Sequence, residues 1–172
     1  MRVKIGIDAK ALMAALAAAP IRTRTEMVKA MQQGVKLVAE TARRNHRYIR
    51  RSGHLELSTE GKLKSADPLI GAVMAGGKLA PYAVPIHEGS GLWGPKHERY
   101  PIEPKAAGDR GKNTKAVLSW PVKGGGFAFA KKVMHPGVRP DPFLTQAAAV
   151  RIPELERLFR DAIMRSLAGG SE

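Results

Sequence analysis

The sequence predicts an α+β fold: a mostly antiparallel sheet, with a long helix in the N-terminal half and a C-terminal helix packed on it, plus a long extended loop. Three observations carry this. Apolar residues recur at helical spacing through Met27, Met31, Val35, Val38 and Ala42. They recur again through Leu144, Ala148, Ile152, Leu155, Phe159, Ala162 and Ile163. Between the two lie short apolar runs punctuated by Gly53, Gly61, Gly71, Gly76 and Gly77. Strands grouped between helices favour segregated layers over alternating βαβ units.

The elements follow in order. Val3, Ile5 and Ile7 alternate with Arg2, Lys4 and Gly6, the period of a half-buried strand. Asp8 then suits the cap of an Ala-rich helix over Ala11 to Ala19, ended by Pro20. This run has some features of a signal peptide, but Asp8, Lys10 and its alanine content favour a plain helix. Thr23 and Glu26 have capping-box spacing, and the helix they open is expected to reach about Tyr48. Gly34 at its centre costs about 1 kcal/mol against Ala, which implies close packing there. Leu55–Ser58 and Leu69–Ala75 read as strands, and Pro81 and Pro85 limit any helix over Ala80–Gly91 to a turn or two. Trp93 to Asn113 is polar, basic and rich in Pro and Gly, which predicts an exposed loop. Ala116–Val122 and Phe127–Met134 read as a hairpin around Gly124–Gly126. Asp141-Pro142 suits the N-cap and first position of the last helix, which Gly169-Gly170 ends; Pro153 breaks one backbone bond, a place for the helix to kink or restart.

The 172 residues fit a single domain over 1–172, with an extended loop at 93–114. Apolar residues make up 44% but aromatics only 5%, so the core must be mostly aliphatic. Lys and Arg outnumber Asp and Glu by 29 to 15, a net charge of +14 that points to a polyanionic partner or a charged assembly surface. The absence of Cys excludes disulfides, Cys-based zinc sites and thiol nucleophiles. No run of the sequence approaches the length of a membrane span.

The search for chemistry returns no catalytic set. His87-Glu88 would need a second His four residues after the first to make a metalloprotease pair, and Gly91 stands there; His97-Glu98 fails likewise at Pro101. Ser90 in Gly89-Ser90-Gly91 lacks the spacing of a hydrolase elbow. Gly124-Gly125-Gly126 lacks the Lys-Ser/Thr of a phosphate loop. The expectation is therefore no enzyme, no cofactor and no metal. The sharpest charge feature is Arg43, Arg44, Arg47, Arg50 and Arg51, with no acid among them. Arg43, Arg47 and Arg50 would share one helical face. Together with Arg51 they form a possible charged interface, for phosphates or for acids of a neighbouring subunit. A basic nucleic-acid-binding module is the alternative this leaves open.

Several segments together resemble one family. Ser52-Gly53-His54-Leu55 resembles a Thr-Gly-x-Leu turn after a long helix. Pro81-Tyr82-Ala83-Val84-Pro85-Ile86-His87-Glu88-Gly89-Ser90 resembles a Tyr-Ala-x-x-(Val/Ile)-x-x-Gly-(Thr/Ser) segment. Tyr100-Pro101-Ile102-Glu103-Pro104-Lys105 resembles an Ile-x-Pro-Lys stretch, and Lys115-Ala116-Val117-Leu118 to Trp120 the strand after it. His135-Pro136-Gly137-Val138-Arg139-Pro140-Asp141-Pro142-Phe143-Leu144 resembles a His-Pro-Gly…Pro-Phe-(Leu/Ile) signature before the last helix. The order and spacing resemble the head–tail joining, or tail-completion, proteins of the neck of long-tailed phages (siphophages).

That resemblance implies a non-enzymatic structural protein of the virion neck, assembled in the host cytoplasm. Its partner would be itself, in a hexameric ring at the head-proximal end of the tail. Adjacent neck, tail-tube or terminator proteins would be further partners, with non-specific contact to DNA in the channel and none to membrane. The resemblance makes Gly53, Leu55, Tyr82, Ala83, Glu88, Gly89, Pro101, Ile102, Pro104, His135, Pro136, Gly137, Pro142 and Phe143 its structural signature. Physically, Tyr82 is expected to bury its ring and give its hydroxyl a partner. Gly89 and Gly137 are expected at positive φ, and Phe143 and Leu144 are expected to anchor the last helix.

Overall fold

A computed structural model describes residues 2–8, 21–50, 52–104 and 117–168. The fold is α+β, as the sequence predicts. The chain divides into two compact units: Met1–Glu88 with Asp141–Glu172, and Gly89–Pro140 between them in sequence.

The first unit holds β1 (Arg2–Asp8), α1 (Ile21–Arg44), α2 (His54–Ser58), β2 (Glu60–Ala66), β3 (Leu69–Gly76) and α3 (Ala83–Glu88). The second holds a 3-10 turn (Gly91–Trp93), β4 (Tyr100–Ile102), β5 (Leu118–Pro121), β6 (Phe127–Ala130) and β7 (Val133–His135). The chain returns to the first unit as α4 (Phe143–Ala168).

In the first unit the sheet is antiparallel in the order β1-β3-β2, with Arg2 opposite Gly76 and Glu60 opposite Met74. β3 is nearly all buried, as a central strand should be. The edge strand β2 alternates, exposing Lys62 and Lys64, and carries a register shift between Leu63 and Ser65. Charges and a bulge both discourage further pairing along that edge.

α1 lies on β2 and β3, and α4 lies along α1. Glycines set the closeness of the first contact. A Cβ on Gly61 would fall 2.1 Å from the Val35 carbonyl oxygen, and one on Gly71 would fall 2.5 Å from Met31 Sδ and Val35 Cγ1. Gly34 does the same against α4, where a Cβ would fall 2.6 Å from Leu155 Cδ2; this is the close packing the sequence implied. Met27, Met31, Val35, Val38, Phe143 and Leu144 are fully buried where these elements meet. Burial of each large side chain contributes about 1.5–3 kcal/mol.

Several local expectations give way to tertiary contacts. The first long helix starts at Ile21, and Thr23 is not its cap: its hydroxyl is buried and donates to Ser166 Oγ at 3.1 Å. Glu26 accepts from Lys29 and Arg165, which hold its carboxyl below the usual range. That helix ends at Arg44, not near Tyr48. Leu55–Ser58 is helical rather than extended. Gly53 at φ +73° turns the chain, Leu57 N–H donates to the Gly53 carbonyl, and the Ser58 and Thr59 hydroxyls donate to the Leu55 carbonyl. The strand Glu60–Ala66 has no counterpart in the sequence expectations.

Along α4 the buried stripe runs through Leu144, Ala147, Leu155, Ala162 and Ser166, so Ile152 is 52% exposed instead of inward-facing. Arg151 takes the inward position and donates to the Thr41 hydroxyl at 2.8 Å. Pro153 is accommodated without breaking the helix. The Ala11–Ala19 helix and the Gly169-Gly170 stop lie outside the described residues.

Candidate interaction surface

The signature residues fall into three local groups. At the turn after α1, Gly53 is buried at positive φ and Leu55 is 2% exposed in the core. Tyr82 corrects its expectation in part. Its hydroxyl does meet Ser52 Oγ, at 3.4 Å, but its ring stays 38% exposed because it lies in the turn before α3. Tyr48 is the tyrosine that enters the core. It stacks on His46 with centroids 3.8 Å apart and meets the edge of Phe143 at 5.5 Å. Burial, with Glu56 and Asp141 nearby, pushes the Tyr48 phenol well above its ordinary value.

The second group joins the start of α4 to α3 and to the turn after α1, all within the first unit. Asp141 N–H donates to the Ile86 carbonyl at 2.9 Å. Its carboxylate was expected to cap α4. Instead Oδ2 accepts the backbone N–H groups of Arg47 (2.6 Å) and Tyr48 (2.9 Å), with Arg47 Nε 3.6 Å from Oδ1. Those two amides are free to reach Asp141 because α1 has already ended at Arg44. Phe143, the first residue of α4, is fully buried with Pro142 half-buried before it. The His87 ring packs edge-on to Phe143 at 5.6 Å, and burial lowers the pKa of its imidazole. Ala83 is fully buried, and Glu88 is exposed at the end of α3.

The third group lies within the second unit. Ser90 N–H donates to the Val138 carbonyl at 2.9 Å, Val138 N–H to Ser90 Oγ at 3.0 Å, and Leu92 N–H to the Pro136 carbonyl at 2.8 Å. Gly89 (φ +86°) and Gly137 (φ +95°) both have the positive φ expected of them. At Gly137 a Cβ would sit 1.9 Å from the Ser90 carbonyl oxygen, so no other residue fits. Tyr100, Pro101 and Ile102 pair with His135, Met134 and Val133, and Gly137 N–H donates to His135 Nδ1 at 2.9 Å. Pro104 follows, half-buried. The expected loop from Trp93 is thus partly a strand, and the expected Phe127–Met134 strand is two: β6 pairs with β5, while β7 pairs with β4. Residues 105–116 lie outside the described residues.

Among the described residues of Gly89–Pro140, only Gly89 and Gly94 are buried. Two two-stranded ribbons therefore stand without a buried side chain of their own, and Phe127, Phe129 and Met134 are 64%, 63% and 48% exposed.

The basic cluster is not one helical face, because α1 ends at Arg44 and Arg47 and Arg50 lie beyond it. Arg43 Nε and Nη2 donate to the Thr59 carbonyl at 3.0 and 2.5 Å, so this guanidinium closes the end of α2. Arg50 lies 4.0 Å from Glu56 and against Gly53. Arg51 is outside the described residues. These internal partners escaped the sequence reading because Glu56, Thr59 and Asp141 are far from the cluster in sequence or carry no motif.

Among the described residues no group of three or more His, Asp or Glu is placed to hold a metal ion. No described helix is long and apolar enough to cross a membrane. Fold and surface together describe an α+β protein with one packed unit and one core-poor, basic unit of ribbons. Comparisons with protein-family models, with curated proteins and with solved structures return no match.

Proposed function

We propose that this chain is a non-enzymatic structural subunit that assembles with copies of itself into a closed ring, in the manner of the siphophage neck proteins its motifs resemble. In that setting the ring is a hexamer at the head-proximal end of the tail, between neck and tail-tube or terminator proteins. The observation that carries the reading is the lack of any buried side chain among the described residues of Gly89–Pro140. Two-stranded ribbons are marginal in water unless a further surface covers them. A ribbon such as β4–β7 suits a subunit whose partners supply that surface. Support also comes from the contacts within the resembling segments: Asp141 with Ile86 in the first unit, and Ser90 with Val138 in the second.

Light scattering behind size exclusion, at low and high salt, with negative-stain images of any large species, tests the reading. Closed rings that persist in salt are expected. A chain that stays monomeric across concentration and salt, also in the presence of tail ends lacking it, would overturn it.

A further inference from the structure

The second unit holds five of the nine aromatic residues, ten of the 29 Lys and Arg residues and three of the 15 acids. Trp93, Tyr100, Trp120, Phe127 and Phe129 are all exposed there. The β5–β6 register places Ser119 opposite Phe129 and Pro121 opposite Phe127, so both Phe rings stand on one face with small partners that leave them uncovered. Residues two apart on a strand are about 6.8 Å apart. Lys123 lies in the turn and Lys131 directly after β6, and neither has an ion-pair partner among the described residues. Lys132 is held by Glu103 at 3.2 Å. A Cβ on Gly124, Gly125 or Gly126 would meet nothing within 4 Å, so the tip is open to close approach.

We propose that the β5–β6 hairpin binds single-stranded nucleic acid, with Phe127 and Phe129 stacking on successive bases and Lys123 and Lys131 meeting the backbone phosphates. Sequence-tolerant single-strand sites combine cations along the backbone with aromatic rings under the bases. RNA-binding sheets use aromatics on one face in the same way. A duplex keeps its base faces stacked and offers these rings nothing. Charge favours a polyanion at this face: Lys123 and Lys131 flank the rings, and the second unit carries ten Lys and Arg residues against three acids. The proposal does not rest on ring assembly.

The test uses the full chain with fluorescently labelled oligothymidylate, oligouridylate and a duplex of equal length. It reads anisotropy across a salt series, and also the intrinsic fluorescence of Trp93 and Trp120, the only tryptophans. At least one of the single strands is expected to bind more tightly than the duplex, with affinity falling as salt rises; the tighter of the two identifies the natural strand chemistry. The double variant Phe127→Ala/Phe129→Ala should weaken binding by about tenfold or more while keeping the salt slope and the oligomeric state. Lys123→Glu/Lys131→Glu should flatten the slope. Both pairs are exposed, and unchanged circular dichroism and urea midpoints verify folding. No single-strand binding at low salt overturns the proposal. So does equal duplex affinity that the Phe variant leaves unchanged. Loss of self-association in the Phe variant, with oligonucleotide affinity intact, assigns the face to protein and overturns it too.

Discussion

Asp141 and Tyr48, 93 positions apart, are joined by a hydrogen bond of 2.9 Å from the Tyr48 backbone N–H to the carboxylate of Asp141, a residue 4% exposed. The same oxygen takes the Arg47 N–H, so one buried acid fixes the path of the chain as it leaves α1. Replacing it by Ala leaves two amide donors unpaired. Asp141→Ala should lower unfolding stability by about 2–5 kcal/mol, read as a lower urea midpoint. Asp141→Asn, which retains an acceptor oxygen, should lose less. Equal midpoints for the wild type and Asp141→Ala would refute this role.

The contact between α1 and β2 is set by backbone against backbone, which cannot yield as a side chain can. Gly61→Ala should cost about 1–3 kcal/mol in thermal or urea unfolding. Gly6→Ala, where a Cβ would meet nothing within 4 Å, is the matched control and should be close to neutral. Similar losses for both variants would mean that helix and sheet are not held this closely.

His87 gives the first unit an acid sensitivity. Among the described residues neither ring nitrogen has a hydrogen-bond partner, and burial lowers its pKa below the ordinary value of about 6.5. The folded state then binds this proton less readily than the unfolded state. Its contribution is complete above pH about 6.5 and is lost as pH falls from there toward the folded-state pKa. Urea midpoints measured at descending pH should therefore fall, and His87→Leu should flatten that part of the profile. A profile identical in the variant would remove His87 as the cause.

Arg43 is a structural residue. Arg43→Ala should lower stability by about 1–3 kcal/mol through the lost bonds to the Thr59 and Glu56 carbonyls. Arg50→Ala, whose closest acid is 4.0 Å away, should change the midpoint little. The reverse ranking in thermal melts would return Arg43 to the surface.

The long periodic elements were legible in the sequence because periodicity reports burial directly: α1, β1, β3 and α4 all stand near their expected places. What escaped was decided by distant partners. His54–Ser58 is helical because Gly53 turns the chain and Thr59 carbonyl bonds to Arg43 close the end, and neither shows as a pattern in five residues. α1 stops at Arg44, and the Arg47 and Tyr48 amides beyond it bond to Asp141, 94 and 93 positions on, which no local pattern shows. The glycines at 89 and 137 were legible because a positive φ leaves few other choices. The exposure of Phe127 and Phe129 was not, because alternation says which residues share a face but not whether anything covers it.

The central claim is that the β4–β7 ribbon of Gly89–Pro140 gains its missing cover from partners on assembly. Backbone hydrogen exchange, compared between monomer and assembled particle of the same chain, tests this most directly. The account predicts fast exchange of the β4–β7 amides, Tyr100–Ile102 and Val133–His135, in the monomer and strong protection in closed rings. Particles whose β4–β7 amides exchange as fast as those of the monomer would contradict it.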